Sequence, residues 1–269
     1  MKIQSLLLGS AMAGAIALGG CQQDTEPAIF DVPGDILDQL NSAGFSTTDV
    51  IRFEDGFLVE GDIYLTAADI ADMSAPIHVA GEHYRTTNLV SGPRNITLSL
   101  PVGGNNGFST TYLSALNEAV SRYNGENLTL TFSVTTSKKA DIKFSRLASR
   151  DEQRGVLGSA GFPSGGGAPY GSIKMSGILE STYGLSVNGI ATIMAHEMGH
   201  CIGFRHTDYM DRSYSCGGQP YNEGDGGVGA IHIPGTPTGP SANSWMLSCT
   251  DGGNRDFTNA DKTALDYLY

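Results

Sequence analysis

The sequence predicts an α/β (α+β) domain in which a helix backs a sheet, a second helix carries the chemistry, and a loop-rich stretch leads to a last helix. Three observations carry this. Apolar residues alternate with polar ones at Ile96-Leu98-Leu100, Leu128-Leu130-Phe132-Val134 and Ile142-Phe144, while Leu113, Leu116, Val120 and Tyr123 recur at helical spacing between the first and second runs. His196 and His200 stand four residues apart in another apolar, helix-like stretch. From residue 207 to 241 glycine and proline interrupt both periods, and Thr258 with Asp261 then forms a capping box that opens a helix with Ala264, Leu265 and Leu268 facing inward.

A chain of 269 residues with 40% hydrophobic content has room for one sizeable domain and a smaller element. Its net charge of -12 and pI near 4.8 argue against nucleic acid or anionic lipid headgroups as partners, because both are bound through clustered Lys and Arg. A monomer is expected. The division expected is 1–20 as a lipoprotein signal peptide, 21–90 as a prosegment and 91–269 as the catalytic domain. Lys2 precedes an apolar run from Ile3 to Leu18 that is too short for a stable membrane span and reads as an export signal. Its end, Leu18-Gly19-Gly20-Cys21, resembles the bacterial lipobox. That resemblance implies a lipid on Cys21 and a membrane anchor; Gln22 after it implies the outer membrane, and Asp24 and Glu26 point to the cell surface. An ordinary signal peptide with an incidental cysteine, giving a secreted protein, is the alternative; both place the protein in an oxidising, extracytoplasmic setting.

Residues 22–90 are acidic, with a short helix expected around Ile36 to Leu40 and a strand-like run from Phe57 to Leu65. His78 and His83 are expected to be solvated. Residues 84–94, small and polar, read as an exposed linker where proteolysis would release what precedes it. In the catalytic part, Thr110 or Thr111 is expected to cap the backing helix, and Asn124-Gly125 to stop it. The glycine-dense stretch from Val156 to Lys174 reads as an edge strand with a bulged loop above the cleft. A peptide can add itself there as a strand, with small residues letting its backbone approach. Ser172 to Met175 completes the sheet, and the second helix begins near Ser186 or Asn188.

The chemistry lies in His196-Glu197-Met198-Gly199-His200-Cys201-Ile202-Gly203-Phe204-Arg205-His206, an H-E-x-x-H-x-x-G-x-x-H pattern. Positions four apart share a helix face, so His196 and His200 can aim two imidazoles at one zinc ion. A continuing helix would carry His206 away along its axis. Gly203 can take the left-handed conformation that ends a helix and turns His206 back as the third ligand. Glu197 projects beside the metal, where its carboxylate can take a proton from a water. A structural or degenerate metal site is the alternative.

This stretch, extended through Thr207 and Asp208, resembles the metzincin zinc endopeptidases, and most closely their bacterial branch of dual-action HEIGH metallo-peptidases. The resemblance covers roughly Asn95 to Tyr269. It implies a zincin catalytic domain with a mixed twisted sheet, a backing helix, an active-site helix and a loop-rich lower subdomain ending in a C-terminal helix. It also implies that Met246, in Asn243-Ser244-Trp245-Met246-Leu247-Ser248, forms the methionine turn below the metal. Thr207 and Ser248 depart from the astacin pattern, which has Glu and Tyr there. Glu60-Gly61-Asp62-Ile63 resembles the F-x-G-D segment of astacin propeptides, with Phe57 five residues before Asp62 instead of three. That likeness implies a zymogen switch in which Asp62 occupies the zinc; a plain Gly-Asp turn between two strands is the alternative.

With Cys21 taken by lipid, three cysteines remain. Cys201 sits among apolar residues, whereas Cys216 and Cys249 lie in polar loops and are the expected pair. They would close a loop of 249 minus 216, or 33, residues, which the chain-entropy model values at roughly 3.5 to 4 kcal/mol. Pairings with Cys201 stay open. Asn222, Glu223 and Asp225 offer oxygen ligands for calcium, but their spacing is not that of an EF-hand loop and a solvated acidic turn is expected. The function expected is a zinc-dependent endopeptidase acting on protein or peptide substrates. The alternatives are a surface adhesion lipoprotein with a vestigial zinc site and a zinc hydrolase of a nonpeptide bond.

Overall fold

The computed structural model describes residues 2–3, 32–73, 83–224 and 228–269. Cys21, His78, Asp225 and nearly all of the expected export signal lie outside them. In chain order the elements are β1 (Lys2–Ile3), α1 (Gly34–Ser42), β2 (Ile51–Phe53), β3 (Gly56–Val59), β4 (Ile63–Leu65), α2 (Ala67–Ala71), β5 (Tyr84–Arg85), β6 (Arg94–Ser99), α3 (Thr110–Gly125), β7 (Leu130–Val134), β8 (Ile142–Arg146), α4 (Ser149–Gln153), β9 (Gly158–Ser159), β10 (Ser172–Met175), α5 (Val187–Ile202), α6 (Ser213–Cys216), β11 (Ile231–His232), β12 (Cys249–Thr250) and α7 (Asn259–Leu268).

The alternating runs become a five-stranded sheet of order β7-β6-β8-β10-β9. β6, β7, β8 and β10 run parallel, and β9 closes the edge antiparallel to β10, so the sheet is mixed. Ile96, Leu98, Leu130, Phe132, Ile142 and Phe144 all point into one core beneath α3 and α5. The buried face of α3 is Tyr112, Ala115, Leu116, Ala119 and Tyr123; Leu113 and Val120, expected in it, are only half-buried. Tyr112 lies outside the expected face and is held inward by donating to the Ser176 carbonyl, while Tyr123, expected inward, donates to the Ala195 carbonyl, both at 2.8 Å. Ser109 stands at the cap position, one residue before the expected threonines, and its hydroxyl donates to Glu180 instead of closing the helix.

The run from Phe57 to Leu65 is not one strand. Glu60 and Gly61 take φ of 55° and 91°, and the Asp62 amide donates to the Val59 carbonyl at 3.3 Å, a tight turn that makes β3 and β4 a hairpin. With β2 they form a separate sheet of order β2-β3-β4. This sheet, α1 and α2 share a core of their own that includes Leu40, Phe45, Phe57, Val59 and Ile63, with Phe162 and Val228 packed against it. The main core draws only on residues from Val90 onward. β4 also docks on the edge of the large sheet. Ile63 bridges Ala160 in parallel, Tyr64 donates its amide to the Ala160 carbonyl at 2.8 Å, and Ala160 donates to the Asp62 carbonyl at 3.0 Å.

Residues 84–94 are not the exposed linker their composition predicts. β5 pairs with β11, Thr86 donates its amide to Gly203, and Arg205 donates its amide to Tyr84. Tyr84 and Thr86 are buried, and the chain surfaces only at residues 87–88 and 91–93. Backbone pairing makes this stretch structural, and backbone pairing leaves no mark on composition. His83 is likewise buried rather than solvated, 2.7 Å from the Asp261 carboxylate of the α7 capping box. Cys216 and Cys249 form a disulfide, and Cys201 is a buried free thiol. Among the described residues no helix is long and apolar enough to cross a membrane.

Candidate metal centre

Ser186 caps α5 by accepting the Gly189 amide at 3.2 Å, and every residue of the helix from Gly189 to Ile202 is buried. His196 and His200 fall on one face with ring centroids 4.7 Å apart. Gly203 then takes φ of 110° and ends the helix. A Cβ there would lie 2.8 Å from Leu89 Cδ2 and 3.0 Å from Thr86 Oγ1, so both the dihedral and the space demand glycine. The reversed chain is fixed by backbone bonds from Arg205 to Tyr84 and from Thr207 to Met246, each 2.9 Å. This brings the His206 ring to 4.9 Å from His200 and 5.2 Å from His196.

Each imidazole is oriented through its Nδ1. The acceptors are the Trp245 carbonyl for His196, the Phe204 carbonyl for His200 and Glu223 Oε2 for His206, all at 2.8 Å. An Nδ1 that donates leaves Nε2 with its lone pair, the form a metal ligand requires. His200 Nε2 is buried without a hydrogen-bond partner. One ligand atom from each of Asp62, His196, His200 and His206 lies within 4.8 Å of the others. Three imidazole nitrogens and a carboxylate, all buried and converging, form a donor set suited to a tetrahedral metal ion.

The electrostatics fit that donor set. Burial pulls His196 down to about 4 and holds His200 well below the ordinary histidine range, so both rings are neutral near pH 7. Burial acts the same way on His206, but the carboxylates of Asp62 and Glu223 reverse it and raise the ring to about 10. For Asp62 burial opposes ionisation, yet the facing His206 keeps its carboxyl well below the carboxylate range. A metal ion and a proton therefore compete for His206 Nε2, which lies 3.2 Å from Asp62 Oδ2.

Glu197 is fully buried beside the cluster, and neither carboxylate oxygen has a hydrogen-bond partner. Burial raises its pKa well above the usual glutamate value. The edge strand makes room for it, since a Cβ on Gly158 would lie 2.5 Å from Glu197 Oε1. Met246 is buried under α5, its Sδ placed 2.6 Å from where a Cβ on Gly199 would stand. Asp62, the three histidines, Glu197 and Met246 are thus brought together, while Cys216 and Cys249, expected in polar loops, stand at the end of α6 and the start of β12 and are not among the clustered ligand atoms. Ser248 is not among the clustered ligand atoms; its hydroxyl oxygen lies 2.9 Å from Asp208 Oδ1 and 3.1 Å from Glu223 Oε1, its single O–H shared between the two carboxyl groups.

Glu223 is the functional residue that sequence reasoning misplaced. Expected in a solvated acidic turn or on calcium, it is fully buried and supports His206. It stands 17 residues beyond the ligand in a loop without periodic pattern, so only its acidic character marked it. Replacing a carboxylate that orients a ligand histidine typically costs 10–100-fold in metal affinity. Glu223→Gln is expected to weaken metal retention by about that factor, roughly 10–100-fold, in a chelator competition assay with the fold intact by circular dichroism. Unchanged retention would show that the contact does not tune His206.

A protein-family model described as dual-action HEIGH metallo-peptidase matches residues 57–269. No curated protein matches the chain. Among solved structures, two of myroilysin are similar, at 15% and 14% identity and a TM-score of 0.43 each, covering 68% of this chain and 82% and 86% of theirs. The family match spans the hairpin that carries Asp62, the large sheet, all three histidines and the methionine at 246, and so this chain belongs to the dual-action HEIGH metallo-peptidase family.

Proposed function

We propose that the chain is a zinc endopeptidase of metzincin type that is synthesised latent. The observation that carries the catalytic part is the set of three Nδ1 anchors, which turn three Nε2 lone pairs to one point beside a buried, unbonded glutamate. His196, His200 and His206 would hold the ion. Zinc held there would supply Lewis-acid polarisation of the scissile carbonyl and would lower the pKa of a neighbouring water to about 7. Glu197, unbonded and next to the ligands, takes the proton of the attacking water and returns it to the leaving amine. Met246 is the apolar floor of the ligand cluster. A peptide adds as a strand at the β9 edge, where Gly158 keeps the backbone close to Glu197.

Glu197→Ala is expected to keep one zinc per chain and lose about 10²- to 10⁴-fold in peptide cleavage, the usual range for a general base. Metal content by atomic absorption checks the first half and a quenched peptide the second. Activity near wild type in that variant would remove Glu197 from the mechanism.

Latency has two supports. The Asp62 carboxylate is fully buried at the ligand cluster, 3.2 Å from His206 Nε2 and 3.4 Å from His196 Nε2. β4 bonds to Ala160 at the sheet edge where a substrate strand would add. The removable segment ends before His83, because residues 83–86 hold Gly203, Arg205 and Ile233 by backbone bonds that the ligand loop needs. Uncut wild type is expected to be nearly inactive and uncut Asp62→Ala measurably active, with processing followed by N-terminal sequencing so that self-cleavage is not counted as release. Equal latency in both would refute masking by Asp62.

We place the mature protein at the bacterial envelope through a lipid on Cys21, from the Leu18-Gly19-Gly20-Cys21 sequence alone. Cys21→Ser is then expected to move the protein from the detergent-extracted membrane fraction to the soluble secreted one, because export survives and the acyl anchor does not. A wild type that is already soluble with a free N-terminus would end this reading.

A further inference from the structure

The turn that carries Asp62 makes a second buried contact, one that covering the metal ligands does not require. Glu60, two residues earlier, is 2% exposed, and both of its carboxylate oxygens lie 3.0 Å from Nη2 of Arg205, which is itself fully buried. Arg205 belongs to the ligand loop and precedes His206. The rest of its setting is built mostly by the catalytic part. Nη1 donates to the Gly229 carbonyl at 3.3 Å and Nη2 to the Gly224 carbonyl at 3.2 Å. Phe162 and Tyr209 flank the guanidinium at 5.8 and 5.9 Å, and Phe45 of the segment before residue 83 covers it at 5.7 Å. Phe162 also stands edge-on to His200 at 5.5 Å. The guanidinium therefore occupies an aromatic-walled recess that shares one wall with the metal ligands, and it is covered by a carboxylate two residues from the one on the histidines.

We propose that Arg205 determines substrate specificity in the mature cleft by receiving an acidic side chain close to the scissile bond. The proposal rests on the latency reading above, since departure of the hairpin is what takes Glu60 and Phe45 off the recess. When the hairpin leaves, a substrate carboxylate can take the place of Glu60 on Nη2, a contact that a neutral side chain makes without charge assistance. Arginine suits the task through its planar fork of donors, which meets a carboxylate at fixed geometry and tolerates aromatic faces on either side. The overall charge of -12 repels acidic peptides at long range, so a preference for them has to come from a local cation.

The test uses the processed enzyme. A mass-spectrometric map of cleaved library peptides locates the position, and kcat/KM is then compared for one peptide with Glu at that position and its Gln isostere. Wild type is expected to favour Glu by about tenfold or more, shrinking as salt is raised, with Arg205→Lys intermediate and Arg205→Gln within about twofold of parity. Equal rates on the two peptides by wild type, or a Glu preference undiminished in Arg205→Gln, would overturn the assignment. The readout is a ratio within one protein, so a poorly folding variant still reports, and the wild-type arm needs no variant. Latency is scored separately, by cut against uncut wild type on the Gln peptide. A tenfold Glu preference without latency supports Arg205 and refutes masking by the hairpin; latency with parity refutes Arg205 and leaves masking standing.

Discussion

An imidazole gives a metal one lone pair, and gives it reliably only when the other ring nitrogen holds its proton against a fixed acceptor. Three such acceptors have to be delivered around α5, and they come from three places: the loop just after the helix at Phe204, the methionine turn at Trp245, and the loop at Glu223. Much of the lower half of the molecule serves the last two. Trp245 is pinned by its indole N–H to the Ala195 carbonyl at 3.2 Å, so the backbone that accepts from His196 is bonded back to α5. Ser248 links Glu223 to Asp208, Ser215 joins Asp208 to the Cys249 amide, and the Cys216–Cys249 disulfide ties the two loops that carry these groups. The disulfide stands at the outer end of a polar chain that finishes on His206.

What the sequence made legible follows from the range over which each signal acts. The histidine-bearing helix α5, its Ser186 cap, the left-handed Gly203 and the α7 capping box are local rules, spelled within a few residues. Strands β6, β7 and β8 announced themselves by alternation over 96–100, 128–134 and 142–144. Glu223, His83 and the structural role of residues 83–86 did not, because each depends on a partner far along the chain: Glu223 on His206, His83 on Asp261, Thr86 on Gly203. The rotated face of α3 has the same cause, since Tyr112, outside the expected stripe, is held inward by the Ser176 carbonyl of a distant segment. At Glu60 the sequence left two readings open, a strand-like run from Phe57 to Leu65 and a Gly-Asp turn between two strands, and the structure has the turn.

The segment before residue 83 meets the rest of the molecule in a manner suited to leaving it. Its apolar residues are mostly spent on their own core, with Phe162 and Val228 from the catalytic part resting on it and a small satellite cluster joining Phe53 and Leu58 to Leu147 and Val156. The main core contains nothing from that segment, so departure would open no cavity within it. Specific contact is instead polar and buried, with Glu60 on Arg205 and Asp62 on the histidines. Buried charge pairs contribute little net stability because each partner gives up its hydration, but breaking one partner away is costly while the site stays dry. An interface of that kind holds firmly as long as the hairpin excludes water. On the latency proposal, a cut in the connecting chain lets the hairpin lift and water reach the two carboxyl contacts, which weakens the polar part of the attachment. In the latent-chain reading this is the property an inhibitor needs, being tight while tethered and weak once cut. In the same reading the turn carries two carboxyl groups, Glu60 and Asp62, where an apolar plug would bind the cleft as firmly after cleavage as before.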